Sequence, residues 1–167
     1  MPELYLVRHA VADRRDSEQW PDDSVRPLTP DGIERFRAVA RGLRRIGVEV
    51  DAVLASPYAR GWATAEILHE EIAWPAPEKC AALEPHGPLS TVVDAVRSRT
   101  ETALALVGHQ PQLSELATLL LAGSERAMRL ELEKGGVLCL RFAEPLEAGA
   151  VALRWSVSPK ILRLLAD

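Results

Sequence analysis

Three short runs of uninterrupted apolar residues constrain this chain more than any other feature: LYLV at 4–7, AVLA at 52–55 and ALALV at 103–107. None alternates with polar residues, so none suits a strand with one face in water. A strand buried on both faces needs a layer of helices above it and another below. Helical patterns occupy the stretches between the runs. In TPDGIERFRAVARGLRRIG, Thr29 reads as an N-cap and Pro30 as the first helical residue, while Ile33, Phe36, Val39, Leu43 and Ile46 recur at helical spacing before the stop at Gly47. SPYARGWATAEILHEE reads as a second helix, capped by Ser56 and started by Pro57. LSTVVDAVRS places Leu89, Val92, Val93 and Val96 on one face, and PQLSELATLLLAG runs from Pro111 to a stop at Gly123. The Pro-rich passage WPAPEKCAALEPHGP has room for one short strand. GGVLCLRF and GAVALRWSV read as two further strands, the second alternating Val151, Leu153 and Trp155 and able to pair antiparallel at an edge. SPKILRLLAD then closes the chain as a helix, or as one that frays. This order predicts a three-layer α/β/α fold with a mostly parallel central sheet, as a single domain over residues 1–167.

Composition narrows the function. The net charge of −4 lacks the broad basic footprint of a nucleic-acid binder, and the run RFRAVARGLRR fits the solvated face of its helix. The first residues, MPELYLVRH, have no basic segment followed by a long apolar one, and no apolar run approaches the ~20 residues of a membrane span. A cytoplasmic protein without a membrane partner is expected. Cys80 and Cys139 lie among apolar neighbours and make neither a disulfide framework nor a zinc site. The four histidines, at 9, 69, 86 and 109, have no tight ligand spacing, so no metal and no cofactor is expected.

Sheets of this kind bind ligands beyond the carboxyl ends of their strands. Arg8 and His9 follow the first apolar run, Arg60 follows the second in the first turn of its helix, and His109 follows the third. Taken singly, each has a bland structural explanation. Together, at three strand ends, they describe one crevice for a compact anion with several oxygens, for which phosphate is the obvious candidate. A neutral imidazole in such a crevice can attack phosphorus and form a phosphohistidine that water hydrolyses. Arginines spread the charge on the equatorial oxygens.

The motifs LYLVRHA, SPYARGWATAE and LVGHQP, in this order, resemble the histidine phosphatase superfamily, also called phosphoglycerate mutase-like. The resemblance extends to about residue 122, and SVRPLTPDG with the short length brings it nearest to the SixA-type phosphohistidine phosphatases. It implies the phosphoglycerate mutase-like fold, His9 as nucleophile, and Arg8, Arg60 and His109 as the rest of the phosphate pocket. Arg26 would reach the substrate phosphate, and Glu84, in LEPHG, would be the proton donor. His86 is a nearby alternative to Glu84, and His69 reads as a helix-surface residue. The implied substrate is a phosphorylated histidine phosphotransfer protein. A small phosphorylated metabolite, or a non-catalytic phosphate-dependent binding role, are the alternatives. Two departures stand out. Ala10 occupies the position of a family glycine, where a positive φ would be disfavoured. VADRRD lacks the Ser and Asn residues of the mutases, which argues against a mutase acting on phosphoglycerate.

Overall fold

A computed structural model describes residues 1–166. The elements run β1 (Glu3–Arg8), α1 (Pro30–Arg45), β2 (Ala52–Ala55), α2 (Ala59–Ile72), β3 (Glu78–Lys79), α3 (Leu89–Arg97), β4 (Ala103–Gly108), α4 (Gln112–Ala122), β5 (Val137–Arg141), β6 (Ala152–Val157) and α5 (Pro159–Leu164). The six strands form one sheet in the order β3-β2-β4-β1-β5-β6. The first four are parallel, and β5 and β6 add antiparallel at one edge.

Alternate side chains of the buried strands feed two cores. Tyr5, Val7, Val53 and Val107 face α1, α2 and α5, packing on Phe36, Leu43, Leu68 and Leu162. Leu4, Leu6, Leu54 and Leu106 face α3 and α4, packing on Val92, Val96, Leu113 and Leu116. Burial on both faces is why these strands read as unbroken apolar runs. The α1 start follows its cap: the Thr29 hydroxyl accepts the Gly32 N–H at 2.9 Å. Helix α5 lies directly against α1, because a Cβ on Gly42 would stand 2.1 Å from the Leu162 carbonyl oxygen.

Four details differ from the pattern-based reading. Helix α2 begins at Ala59, with Tyr58 at the cap position and no side-chain cap, so Ser56 and Pro57 precede it. Ile46 is the C-cap of α1 and turns outward. Leu153 is 48% exposed on the edge strand, where a register shift between Cys139 and Leu140 breaks the simple alternation. Cys139 is in the core, but Cys80 is half-buried at its margin. The closing helix spans Pro159–Leu164, and Asp167 lies outside the described residues. No helix among those residues is long and apolar enough to cross a membrane.

Candidate active site

Strands β1 and β4 are parallel neighbours with Arg8 paired to Gly108. The residues that follow them, His9 and His109, therefore leave the sheet side by side, with ring centroids 5.2 Å apart. Strand β2 flanks β4 on its other side and delivers Ser56, Tyr58 and Arg60 to the same end. A cleft of about 600 Å³ opens there, lined by Arg8, His9, Arg60 and His109 together with Arg26, Asp13 and Asp23.

The hydrogen bonds of His9 define its tautomer. Its Nδ1 lies 2.7 Å from the Ala10 carbonyl oxygen. A carbonyl only accepts, so Nδ1 carries the proton and Nε2 keeps its lone pair. Burial pushes the His9 pKa down to about 3, and the charges of Arg60 and Arg8 act in the same direction. The ring is neutral at physiological pH. The Ala10 N–H donates to the Thr64 hydroxyl, and that hydroxyl donates to the Arg60 carbonyl, tying the turn after β1 to α2. Among the described non-glycine residues, positive φ occurs at Ala73 and His86 but not at Ala10. Alanine therefore replaces the family glycine here without backbone strain.

His109 is held by a residue that local patterning assigned to a helix cap. Ser56 is fully buried, and its Oγ lies 2.7 Å from His109 Nε2 while accepting the Tyr58 N–H at 3.2 Å. Among the described residues this hydroxyl has no other acceptor for its proton, so it donates to Nε2, and the imidazole proton resides on Nδ1. This Nδ1 is buried and has no protein partner. Burial lowers the His109 pKa to about 3, followed by the influence of His9 and Arg60. The ring thus offers one N–H donor without a positive charge.

The arginines are braced by backbone and by one carboxylate. Arg8 donates to the Leu132 carbonyl at 2.9 Å, leaving its Nε without a partner. Arg60 is 4% exposed and donates to the Asp23 carbonyl at 2.9 Å and to Asp23 Oδ2 at 3.0 Å, and its Nε is also unpartnered. Its guanidinium lies 5.3 Å from the centroid of the Tyr58 ring. Arg26 reaches Asp23 Oδ1 at 2.8 Å and the Asp13 carbonyl at 2.7 Å. Burial alone would raise the Asp23 pKa, but the Arg26 hydrogen bond and the Arg60 charge outweigh it and hold the carboxyl below its usual range. The unpartnered donors beside a neutral imidazole suit a tetrahedral oxyanion.

Glu84 is not among the residues that line this cleft. It caps the 3₁₀ turn Ala81–Leu83, and its backbone closes that turn, while Pro85 and His86 line the cleft instead. His69 is exposed near the end of α2, with Nδ1 2.6 Å from the Trp74 carbonyl oxygen. Among the described residues, no three His, Cys, Asp or Glu side chains are grouped to hold a metal ion. Ser56, Tyr58 and Asp23 are the site residues that sequence reasoning missed. For Asp23 a signal existed, since an acid three residues before Arg26 can pair with it within one turn.

Residues 4–84 match the model of the histidine phosphatase superfamily (branch 1). The chain is also 26% identical over 166 residues to the phosphohistidine phosphatase SixA of Escherichia coli, spanning 97% of each protein. The chain belongs to the histidine phosphatase superfamily. This histidine phosphatase is 39% identical over 143 residues to an uncharacterised protein of Picosynechococcus sp., covering 83% of this chain and 84% of that one. Its structure superposes on the protein histidine phosphatase SixA complexed with tungstate with a TM-score of 0.82 at 25% identity, over 96% of this chain and 99% of the other. The fold alone extends to the alpha-ribazole phosphatase of Shigella flexneri, with a TM-score of 0.70 at 17% identity over 94% and 96% of the two chains.

Proposed function

We propose that this phosphatase hydrolyses protein-borne phosphohistidine through a covalent phosphohistidine on His9. The observation that carries the reading is the His9 tautomer: a buried, uncharged ring with Nδ1 tied to a carbonyl and Nε2 free, beside three arginines. In the first step Nε2 attacks phosphorus and the bond to the leaving group breaks. Arg8, Arg60 and Arg26 take the equatorial oxygens, and the His109 Nδ1–H donates to one of them. In the second step water adds to phosphorus, the N–P bond to His9 breaks, and inorganic phosphate leaves carrying both protons of that water, with His9 neutral again. Tungstate is a tetrahedral oxyanion like phosphate, and a SixA structure complexed with it supports oxyanion binding as part of this reading.

The substrate class follows from the leaving group. An alkoxide leaving from a phosphoester needs a general acid, which contributes about 10²–10⁴-fold. An imidazole can carry a proton on its far nitrogen before the P–N bond breaks, so it departs neutral. Glu84 does not line the cleft, which favours a leaving group that needs no acid unless His86, which does line it, supplies one. The test is kcat/KM on a panel of phosphohistidine peptide, phosphoserine peptide and sugar phosphate, with acid-labile radiolabel on the protein as the sign of the covalent step. A preference for phosphohistidine of at least about 100-fold is expected. Equal or better turnover of an ester would transfer the assignment to a metabolite phosphatase. Phosphate binding without turnover or label would leave a binding module.

A further inference from the structure

A second concavity of about 410 Å³ adjoins the cleft. It runs between the first half of α1 and α5, with the turn at Glu133–Gly135 as its third wall. Arg8 and Lys134 line both hollows, so the groove and the cleft meet at these two side chains. Its position follows from the close contact of α1 and α5 at Gly42 described above.

The floor of this groove is apolar, formed by Ala10, Phe36, Val39 and Pro159. Its walls are cationic: Arg35, Lys134, Lys160 and Arg163, against the single carboxylate Glu133. Arg35 is engaged by Asp31 at 2.8 Å, whereas Lys134, Lys160 and Arg163 make no ion pair among the described residues. Groove and cleft together are lined by nine Arg and Lys side chains and three Asp and Glu, in a chain whose net charge is −4. Like charges gathered on one concave surface repel one another, so this concentration costs stability unless a ligand uses it. In the proposed function Arg8, Arg26 and Arg60 take one phosphoryl group. The groove cations lie beyond it. On the outer side of α5, Ile161 and Leu164 are 51% and 72% exposed, an apolar margin suited to a protein surface and of no use to a small anion.

We propose that this groove docks an acidic segment of the phosphoprotein substrate, next to the phosphorylated residue. The proposal rests on the substrate class assigned above. Exposed lysine and arginine act through long-range attraction, which raises the rate of productive encounter and is screened by salt. The groove therefore sets KM and partner choice, while the cleft sets kcat.

Two phosphohistidine peptides of equal length test this, one with Asp and Glu flanking the phosphorylated residue and one with Asn and Gln in the same places. Phosphoramidate serves as the small substrate, and the variant is Lys160→Gln/Arg163→Gln. At low ionic strength the parent enzyme is expected to prefer the acidic peptide by about tenfold in kcat/KM, mostly through KM. The preference should collapse in about 0.5 M salt and in the double variant, with phosphoramidate turnover unchanged. Fluorescence anisotropy of the unphosphorylated acidic peptide should report binding to the parent and none to the variant. Equal kcat/KM for the two peptides, a preference that survives in the variant, or absence of acidic-peptide binding would each overturn the proposal. If neither phosphohistidine peptide is hydrolysed but the acidic peptide binds in a Lys160- and Arg163-dependent way, the groove stands and the assigned substrate class falls.

Discussion

Replacing Ser56 by alanine removes one oxygen from a fully buried position and takes a partner from two groups at once. The Tyr58 N–H loses its 3.2 Å acceptor, and His109 Nε2 loses the 2.7 Å hydrogen bond that fixes its tautomer. Leaving a buried polar group unpaired costs about 1–3 kcal/mol. The Tyr58 amide lies at a helix start and can relax, so a total of about 2–3 kcal/mol is reasonable. For a chain of this size that corresponds to a fall in Tm of about 4–12 °C. The catalytic effect has a different origin. With Nε2 unpartnered, the proton is shared between the two ring nitrogens, and the Nδ1–H donor is present only part of the time. Complete loss of such a donor costs about 10²–10³ in rate, so partial loss should lower kcat by about tenfold with KM little changed. Gly61→Ala approaches the same pair by another route, since the new Cβ would stand 3.0 Å from Ser56 Cβ and 3.5 Å from His109 Nε2. The two variants should therefore show less than additive losses when combined. Thermal denaturation and steady-state kinetics on phosphoramidate decide the matter. A Ser56→Ala protein with lowered Tm but kcat within about twofold of the parent would show that the hydroxyl only supports the fold.

His9→Ala should abolish turnover and the acid-labile label while retaining the native circular dichroism spectrum; a folded variant with substantial activity would remove His9 from the chemistry. Arg8→Ala and Arg60→Ala should each lower kcat/KM by about 10²–10³, measured on phosphoramidate, and losses under about fivefold in both would place the phosphate elsewhere. Because Glu84 lies off the cleft, Glu84→Gln should leave phosphohistidine turnover within about twofold, a result that a general-acid role would contradict. Acid should destabilise the fold through the two histidines: their pKa values are about 3 in the folded chain against 6.5 for an unperturbed ring, so between those limits the unfolded chain binds protons that the folded one excludes. Stability is then unaffected by them above 6.5 and falls as pH drops, by at most ~1.4 kcal/mol per unit for each ring. Urea unfolding at several pH values should show this slope, and a shallower one in His9→Ala.

Much of this was legible because a strand buried on both faces leaves an unmistakable apolar run. Once β1, β2 and β4 are read as parallel, the residues after them must share one end of the sheet, and Arg8, His9, Arg60 and His109 follow without any knowledge of register. What could not be read was contact between distant loops. Ser56 has the local chemistry of a helix cap, and only its meeting with His109, 53 residues on, makes it a site residue. Asp23 lies in a polar loop with no periodicity, and its partner Arg60 is 37 residues away. Glu84 follows from motif and spacing; it closes the Ala81–Leu83 turn while its neighbours Pro85 and His86 line the cleft, and the Glu84→Gln variant decides whether it donates a proton. The alternation at Leu153 ran into the edge of the sheet, where one side of a strand has nothing to pack against.

The carboxylate of Asp23 gives this pocket an internal counter-ion. It touches Arg60 and Arg26 from a short 3₁₀ turn, Asp23–Val25, so an arriving phosphoryl group does not neutralise bare cations but exchanges places with a tethered rival or shares them with it. A competitor held on a short tether acts at an effective concentration in the millimolar range. It would weaken every anion that the arginines could retain, including the inorganic phosphate that the proposed reaction leaves behind. On the proposed function, the same bridge that orders Arg60 would work against product inhibition, letting the pocket carry positive charge for the transition state without trapping what that transition state becomes.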